Sequence, residues 1–300
     1  MKKFSGNIML LIAALLWGTT FVAQSEGMKY IEPFTYNAAR MFIGGIVLIP
    51  VVFVFSRISA REGIDREKRR AQIKTTVKGG ILCGMILFIA SSLQQMGIQT
   101  TTAGKSGFIT ALYIVIVPVY ELVLFRKKTS KLLWFFAAVA VLGFYLLCIK
   151  DGFTVSAGDL LTLGCAFFFA GHIVTIDRFQ RRGIDGVLMS CIQFFVSGIL
   201  ASLCMIFTEH PDMTKIWDAK YTILYAGLLS SGVAYTLQIL GQKRTNPTIA
   251  TLIMSLESVF AAVSGWLVLG EAFSLREKIG CVLVFAAVIL AQLKTPESKS

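Results

Sequence analysis

Apolar runs long enough to cross a lipid bilayer recur from one end of this chain to the other, and that recurrence narrows its folds more than any motif does. About 20 helical residues cover the ~30 Å hydrocarbon core of a membrane. Ten such runs can be placed: 7–24, 34–55, 77–97, 103–125 and 132–149, then 157–176, 186–207, 221–241, 247–269 and 278–293. Because no water reaches backbone groups in lipid, runs of this length must close their own hydrogen bonds as helices. The expected fold class is therefore an all-α integral membrane protein with ten transmembrane helices. Charged residues make up 15% of the chain, against about 25% in soluble domains. No polar stretch between the runs is long enough to fold a soluble catalytic domain.

The formal net charge of +12 sits in short clusters between apolar runs, not along one polar face. That pattern marks membrane orientation and argues against a nucleic-acid partner. With the amino terminus inside, the inner segments hold Lys2, Lys3, the dense 57–78 stretch, residues 126–131 and 178–182, Lys243, Arg244, Lys294 and Lys299. Roughly 21 basic residues then lie inside and about 7 outside, so both termini are expected to be cytoplasmic. The opening Met1-Lys2-Lys3 and apolar run resemble a signal peptide, but no small-x-small site follows, so the run reads as a retained first helix. The six cysteines all fall in apolar runs without CxxC spacing or a His cluster and read as packing residues.

The chain also repeats itself at a spacing of about 144 residues, as membrane carriers built from internal repeats do. Thr101-Thr102-Ala103 falls on Thr245-Asn246-Pro247, Leu112-Tyr113 on Leu256-Glu257, and Ser130 on Ser274. At the front of each half, 7–22 matches 159–174 with a slightly different offset, pairing Trp17 with Phe169 and Thr20 with His172. Five passes per half is an odd number, so the second half enters the membrane from the opposite side and the repeat is inverted. Inverted halves place a binding site at their interface near the bilayer midplane and expose it to each side in turn.

Several stretches carry a family likeness: Leu16-Trp17-Gly18, Glu32-Pro33 and Arg40 early on, then Gly158-Asp159-Leu160-Leu161, Gly232 to Tyr235 and Asn246-Pro247-Thr248. The most recognisable is 256–262 followed by Leu269-Gly270-Glu271. In this order they resemble the drug/metabolite transporter superfamily, in its EamA-type ten-helix branch, over nearly the whole chain. The resemblance implies two EamA-like repeats, 1–150 and 155–294, with 295–300 as a cytoplasmic tail. It also implies a bacterial-type inner-membrane carrier, often an exporter of amino acids or other metabolites, and does not identify the cargo. One departure is Ser258, where the family usually has a proline that kinks the ninth helix.

Ionisable groups inside a membrane helix cost about 2.5–3.5 kcal/mol to insert and are functional candidates for that reason. Glu257, in the middle of the ninth run, reads as a site for a cationic group or for a proton, or as a structural pair. Lys105, near the outer end of the fourth, either meets a substrate carboxylate or snorkels to the interface. Arg40 reads as a structural clamp on carbonyls of the first helix or the following loop. His172 shares the repeat position of Thr20, and its imidazole leaves a role in proton movement open. Trp17, Thr20, Gln94, Gln95, Tyr113, Tyr235 and Gln238 complete a polar lining, and Glu121 with Arg126 reads as a headgroup-level anchor.

No GxxxxGK[ST] loop for a nucleotide occurs, and the reading calls for no cofactor and no metal. The expected partners are a small-molecule substrate, the lipid bilayer and protons as a coupling ion. The fifth and tenth helices, almost free of polar side chains, are expected to face lipid or a second copy in a homodimer. The alternative class, a membrane-embedded enzyme acting on a lipid or isoprenoid, needs a carboxylate or His constellation at one face, and neither HExxH nor a paired Asp motif is present.

Overall fold

A computed structural model describes residues 2–61, 66–101, 103–148, 155–269 and 274–294. The expected positions Thr102, Ile149, Gly270, Glu271 and the 295–300 tail lie outside the described residues. Among the described residues the chain makes ten helical passes. The first half holds α1 (Lys2–Gly27), α2 (Pro33–Arg61), α3 (Arg66–Ile98), a fourth pass in two pieces, α4 (Ala103–Ala111) and α5 (Tyr113–Phe125), and α6 (Lys131–Cys148). In the second half come α7 (Ala157–Gln180), α8 (Gly186–Thr208), a short α9 (Met213–Asp218) and an eighth pass in three pieces. Those pieces are α10 (Lys220–Tyr225), a π-helix (Ala226–Tyr235) and α11 (Thr236–Gln242). The ninth pass is split into α12 (Pro247–Met254) and α13 (Glu257–Leu269), and α14 (Leu275–Lys294) is the tenth. Among the described residues eight passes are long and apolar enough to cross a membrane; α6 is shorter, and α14 opens with Arg276, Glu277 and Lys278.

Three departures from unbroken helices stand out. The fourth and ninth passes break at Leu112 and at Ser255-Leu256, which are matching positions of the repeat. At both breaks the backbone tightens to bonds three residues back, Leu112 N–H to Ile109 O (3.2 Å) and Leu256 N–H to Ile253 O (3.2 Å). Pro118 removes a donor below the first break. The second break forms without a proline, and Ser258 instead donates its hydroxyl to Gly107 O (2.9 Å), tying the two broken passes together.

Pairs of contacts related by exchanging the halves show that the second half repeats the first, and five passes per half set that copy upside down. Thr101 donates to Asp159 Oδ1 (2.7 Å), and its match Thr245 donates to Asn7 Oδ1 (3.0 Å). Gly97 abuts Thr162 and the Gly158 carbonyl, while Gly241 abuts Leu10 and the Gly6 carbonyl. Gly45 lies on the Phe195 ring and Gly198 on the Phe42 ring. Ser130 and Ser274 each accept the backbone N–H three residues on, at Leu133 and Glu277. Glycine at these seams lets helix backbones approach in lipid, where dispersion packing replaces hydrophobic drive.

The π-helix has a cause visible in the same symmetry. Gly84 abuts Val196 and the Gln193 carbonyl, just as Gly227 abuts Ile43 and the Arg40 carbonyl, so Gly84 matches Gly227. Gly97 matches Gly241 further along. One residue more lies between Gly227 and Gly241 than between Gly84 and Gly97. With both ends pinned by glycine contacts, the surplus residue is taken up as a π-turn between them.

The fifth and tenth passes pack on each other, Gly143 against the Gly280 carbonyl and Val284, at the edge of the bundle. The main core, Leu10, Ile114, Phe144, Ile173, Leu252 and their neighbours, joins α5 and α12 to this pair. All five cysteines whose surroundings are described are free thiols, three of them buried.

Candidate functional site

Between the halves, where the two broken passes cross, lies a narrow cavity of about 40 Å³, room for a few waters. Its lining is built from matched pairs: Trp17 with Phe169, Phe21 with Ile173, Gln94 with Gln238, Thr110 with Met254, and Tyr113 with Glu257. The cavity therefore straddles the pseudo-twofold relation between the repeats. Four unpaired contributors break that symmetry: Gln24 and Arg40 from the first half, and Ser230 and Tyr235 from the π-helix.

At its centre the Tyr113 hydroxyl donates to Glu257 Oε1 (3.1 Å), a bond between repeat-related residues at the two helix breaks. Glu257 is 5% exposed, and among the described residues its carboxylate meets no cation. Arg40 is 2% exposed; its Nε donates to Asn37 Oδ1 (2.9 Å) one turn back, and its guanidinium lies 5.9 Å from the Tyr36 ring centre. The expected clamp on carbonyls of the first helix or the following loop is not what it makes among the described residues. One carboxylate and one guanidinium thus line the same buried space without forming an ion pair with each other.

Tyr235 is the hub of the aromatic wall. Its ring meets Trp17 edge-on at 4.9 Å, Phe194 at 5.7 Å and His172 at 6.0 Å. Unsatisfied polar atoms face the same region: Trp17 Nε1, Gln24 Oε1 and Gln238 Oε1 have no partner among the described residues. Buried amides without partners are costly, so such a lining is built to be hydrated or to hold a ligand.

Of the residues singled out from sequence, Trp17, Gln94, Tyr113, Tyr235, Gln238, Glu257 and Arg40 converge on the cavity. Four others do not line it. Thr20 turns back to bond the Leu16 carbonyl (2.6 Å). His172 sits behind Tyr235 with Nε2 on Gln193 Oε1 (3.0 Å), and Gln95 is fully buried with both amide atoms unpartnered among the described residues. Lys105 does not snorkel; its ammonium meets Asp159 Oδ2 at 2.6 Å, held in a seam where Thr101 occupies the other oxygen. Glu121 also departs from the headgroup reading, being 4% exposed and accepting from Lys127 (2.6 Å) and from Thr248 (3.1 Å) of α12. Phe21, Gln24, Thr110, Phe169, Ile173, Ser230 and Met254 were missed. Phe169 was within reach, because it is the repeat partner of Trp17; the apolar ones carry no signal of their own.

The comparisons with known proteins agree with this architecture. The model of the EamA-like transporter family matches residues 4–149 and again 156–293. A solved structure, 19% identical, superposes with a TM-score of 0.75 over 96% of both chains. An uncharacterized transporter of Archaeoglobus fulgidus is 28% identical over 98% of this chain and 87% of its own length. The S-adenosylmethionine/S-adenosylhomocysteine transporter of Chlamydia muridarum is 22% identical over 88% of this chain and 84% of its own. With its multi-pass fold and two matched repeats, the chain belongs to the EamA-like transporter family.

Proposed function

We propose that the chain is a secondary carrier that exports a small zwitterionic metabolite of the amino-acid type by alternating access. The observation that carries this reading is a Glu257 carboxylate and an Arg40 guanidinium in one buried cavity, neither in an ion pair among the described residues. A buried charge needs a counter-charge or it costs several kcal/mol, and a zwitterion supplies both at once. Its ammonium goes to Glu257 and its carboxylate to the two-pronged guanidinium of Arg40, with the aromatic wall around Tyr235 receiving the side chain. Support also comes from the Chlamydia muridarum relative, since both molecules in its name carry an α-ammonium and an α-carboxylate.

At about 40 Å³ the cavity is too small for such a cargo, so transport requires the halves to rock apart on one side. The helix breaks at Leu112 and Ser255-Leu256 supply places where α4 can pivot against α5 and α12 against α13. In the absence of cargo, Glu257 is free to take a proton, which makes it the group we assign to proton coupling. The basic-residue asymmetry supports a reading with both termini in the cytoplasm and the protein in an inner membrane.

Proteoliposome flux with labelled amino acids, S-adenosylmethionine, sugars and cationic drugs, with and without a pH gradient, tests this reading. Zwitterions are expected to move, and both Glu257→Gln and Arg40→Gln to slow them sharply. Movement of sugars or monocations alone would overturn it.

A further inference from the structure

The end of the bundle that carries most of the positive charge holds a second, unrelated feature. Helix α3 is 33 residues long, about 50 Å at 1.5 Å per residue, well beyond the ~30 Å hydrocarbon core. Its first turns therefore stand at headgroup level, and they carry Lys68, Arg69, Arg70, Lys74 and Lys78. They are also fixed in place. Arg69 Nη2 donates to the Ser56 hydroxyl of α2 (2.6 Å), Gln72 donates to the Gly183 carbonyl (2.7 Å), and Thr76 accepts the Asp185 N–H (3.1 Å). Gly183 makes the α7–α8 turn with φ +71, a left-handed conformation that favours glycine.

Between α3 and that turn opens a groove of about 400 Å³, lined on one α3 face by Lys68, Gln72 and Thr75 and on the other side by Arg182. The acidic groups of the turn are already committed. Asp177 pairs with Arg181 (2.9 Å), and the Asp185 carboxylate accepts the Val187 and Leu188 N–H groups that open α8. Among the described residues Lys68 and Arg182 have no carboxylate partner. Steps of three and four residues continue the groove face along α3 through Lys78 to Leu82, Met85 and Ile89, all exposed apolar side chains once inside the core.

We propose that this groove binds one anionic phospholipid, its phosphodiester between Lys68 and Arg182 and an acyl chain along Leu82, Met85 and Ile89. Two uncompensated cations at headgroup level select negative charge, and the apolar strip below selects a lipid over free phosphate. The site is distinct from the transport cavity and does not depend on the cargo.

Native mass spectrometry of the solubilised full chain with phosphatidylglycerol or phosphatidylcholine of identical acyl chains is the test. Phosphatidylglycerol is expected to be retained about tenfold more strongly at low salt, and Lys68→Gln with Arg182→Gln to abolish that preference. The charge-preserving pair Lys68→Arg with Arg182→Lys keeps it, as does Lys215→Gln with Lys220→Gln at the opposite end. Equal retention of the two lipids, or a preference that survives the double Gln variant, overturns the proposal. So does displacement of phosphatidylglycerol by millimolar inorganic phosphate, which identifies a free-anion site. Should the double Gln variant fail to fold, the wild-type preference is titrated with salt. A loss of about tenfold by 1 M supports the site, and a salt-insensitive preference overturns it.

Discussion

At one end of the bundle Thr101 bonds Asp159, and at the other Thr245 bonds Asn7. The backbone arrangement is the same, down to the glycine contacts of Gly97 with Gly158 and of Gly241 with Gly6. The chemistry differs. The first seam holds a carboxylate and adds the Lys105 ammonium at 2.6 Å; the second is a neutral amide-hydroxyl bond, with Arg244 bonded to Ser5 nearby. The same divergence runs through the cavity, where Tyr113 faces Glu257, Thr110 matches Met254, and Arg40 lines a wall to which its counterpart Gln193 contributes nothing. The repeat sets the scaffold, and the residues that differ between its two copies make the site polar and asymmetric.

The largest expected effect tests that asymmetry at the centre. Glu257→Gln should lower zwitterion flux by about 100-fold or more, since losing one partner of a buried charge pair costs about 3–5 kcal/mol. Tyr113→Phe, losing only a hydrogen bond of about 1 kcal/mol, should cost less than about tenfold. Proteoliposome rates read both, and comparable losses would mean that the matched residues are equivalent after all. Proton coupling adds a sign: flux through the Glu257→Gln carrier should no longer respond to a pH gradient.

The π-helix is a second feature that one half has and the other lacks among the described residues. Deleting Val233 from the surplus turn should let the eighth pass adopt the plain helix of α3 while Gly227 and Gly241 keep their contacts. Flux should fall about tenfold, as Ser230 and Tyr235 lose their places in the wall, while thermal unfolding in detergent shifts by only a few degrees. A deletion variant with unaltered flux would detach the π-turn from function.

At the seams, Asp159→Asn should destabilise the protein by roughly 1–3 kcal/mol, because it leaves the Lys105 ammonium without its carboxylate. Asn7→Ala should cost about 1 kcal/mol. Combining Asp159→Asn with Lys105→Met should recover part of the first loss; no recovery in melting temperature would remove the ion pair as the reason for the difference. The smallest contrast is expected between Gly97→Ala and Gly241→Ala. Each crowds a helix seam at a cost of about 1–3 kcal/mol, and the two should agree within about 0.5 kcal/mol.

Much of this architecture is legible in the sequence, for a definite reason. A pass through lipid must be apolar for about 20 residues and must satisfy its own backbone, so each helix announces itself locally, and an odd number of passes per repeat sets the second half upside down. Pairing at the repeat likewise marks Tyr113 with Glu257 and Trp17 with Phe169, and the insertion cost of a charge marks Glu257 and Arg40. Tertiary structure alone decided the rest. Whether Lys105 snorkels or pairs depends on Asp159 arriving from another helix, and whether Thr20 or Gln95 faces the cavity depends on helix rotation about its axis, which the hydropathy of an all-apolar run does not encode. The π-turn arises from glycine contacts that pin distant segments together. At Ser258, where the family usually has a proline, the hydroxyl finds the Gly107 carbonyl, a partner that exists only once the two halves have met.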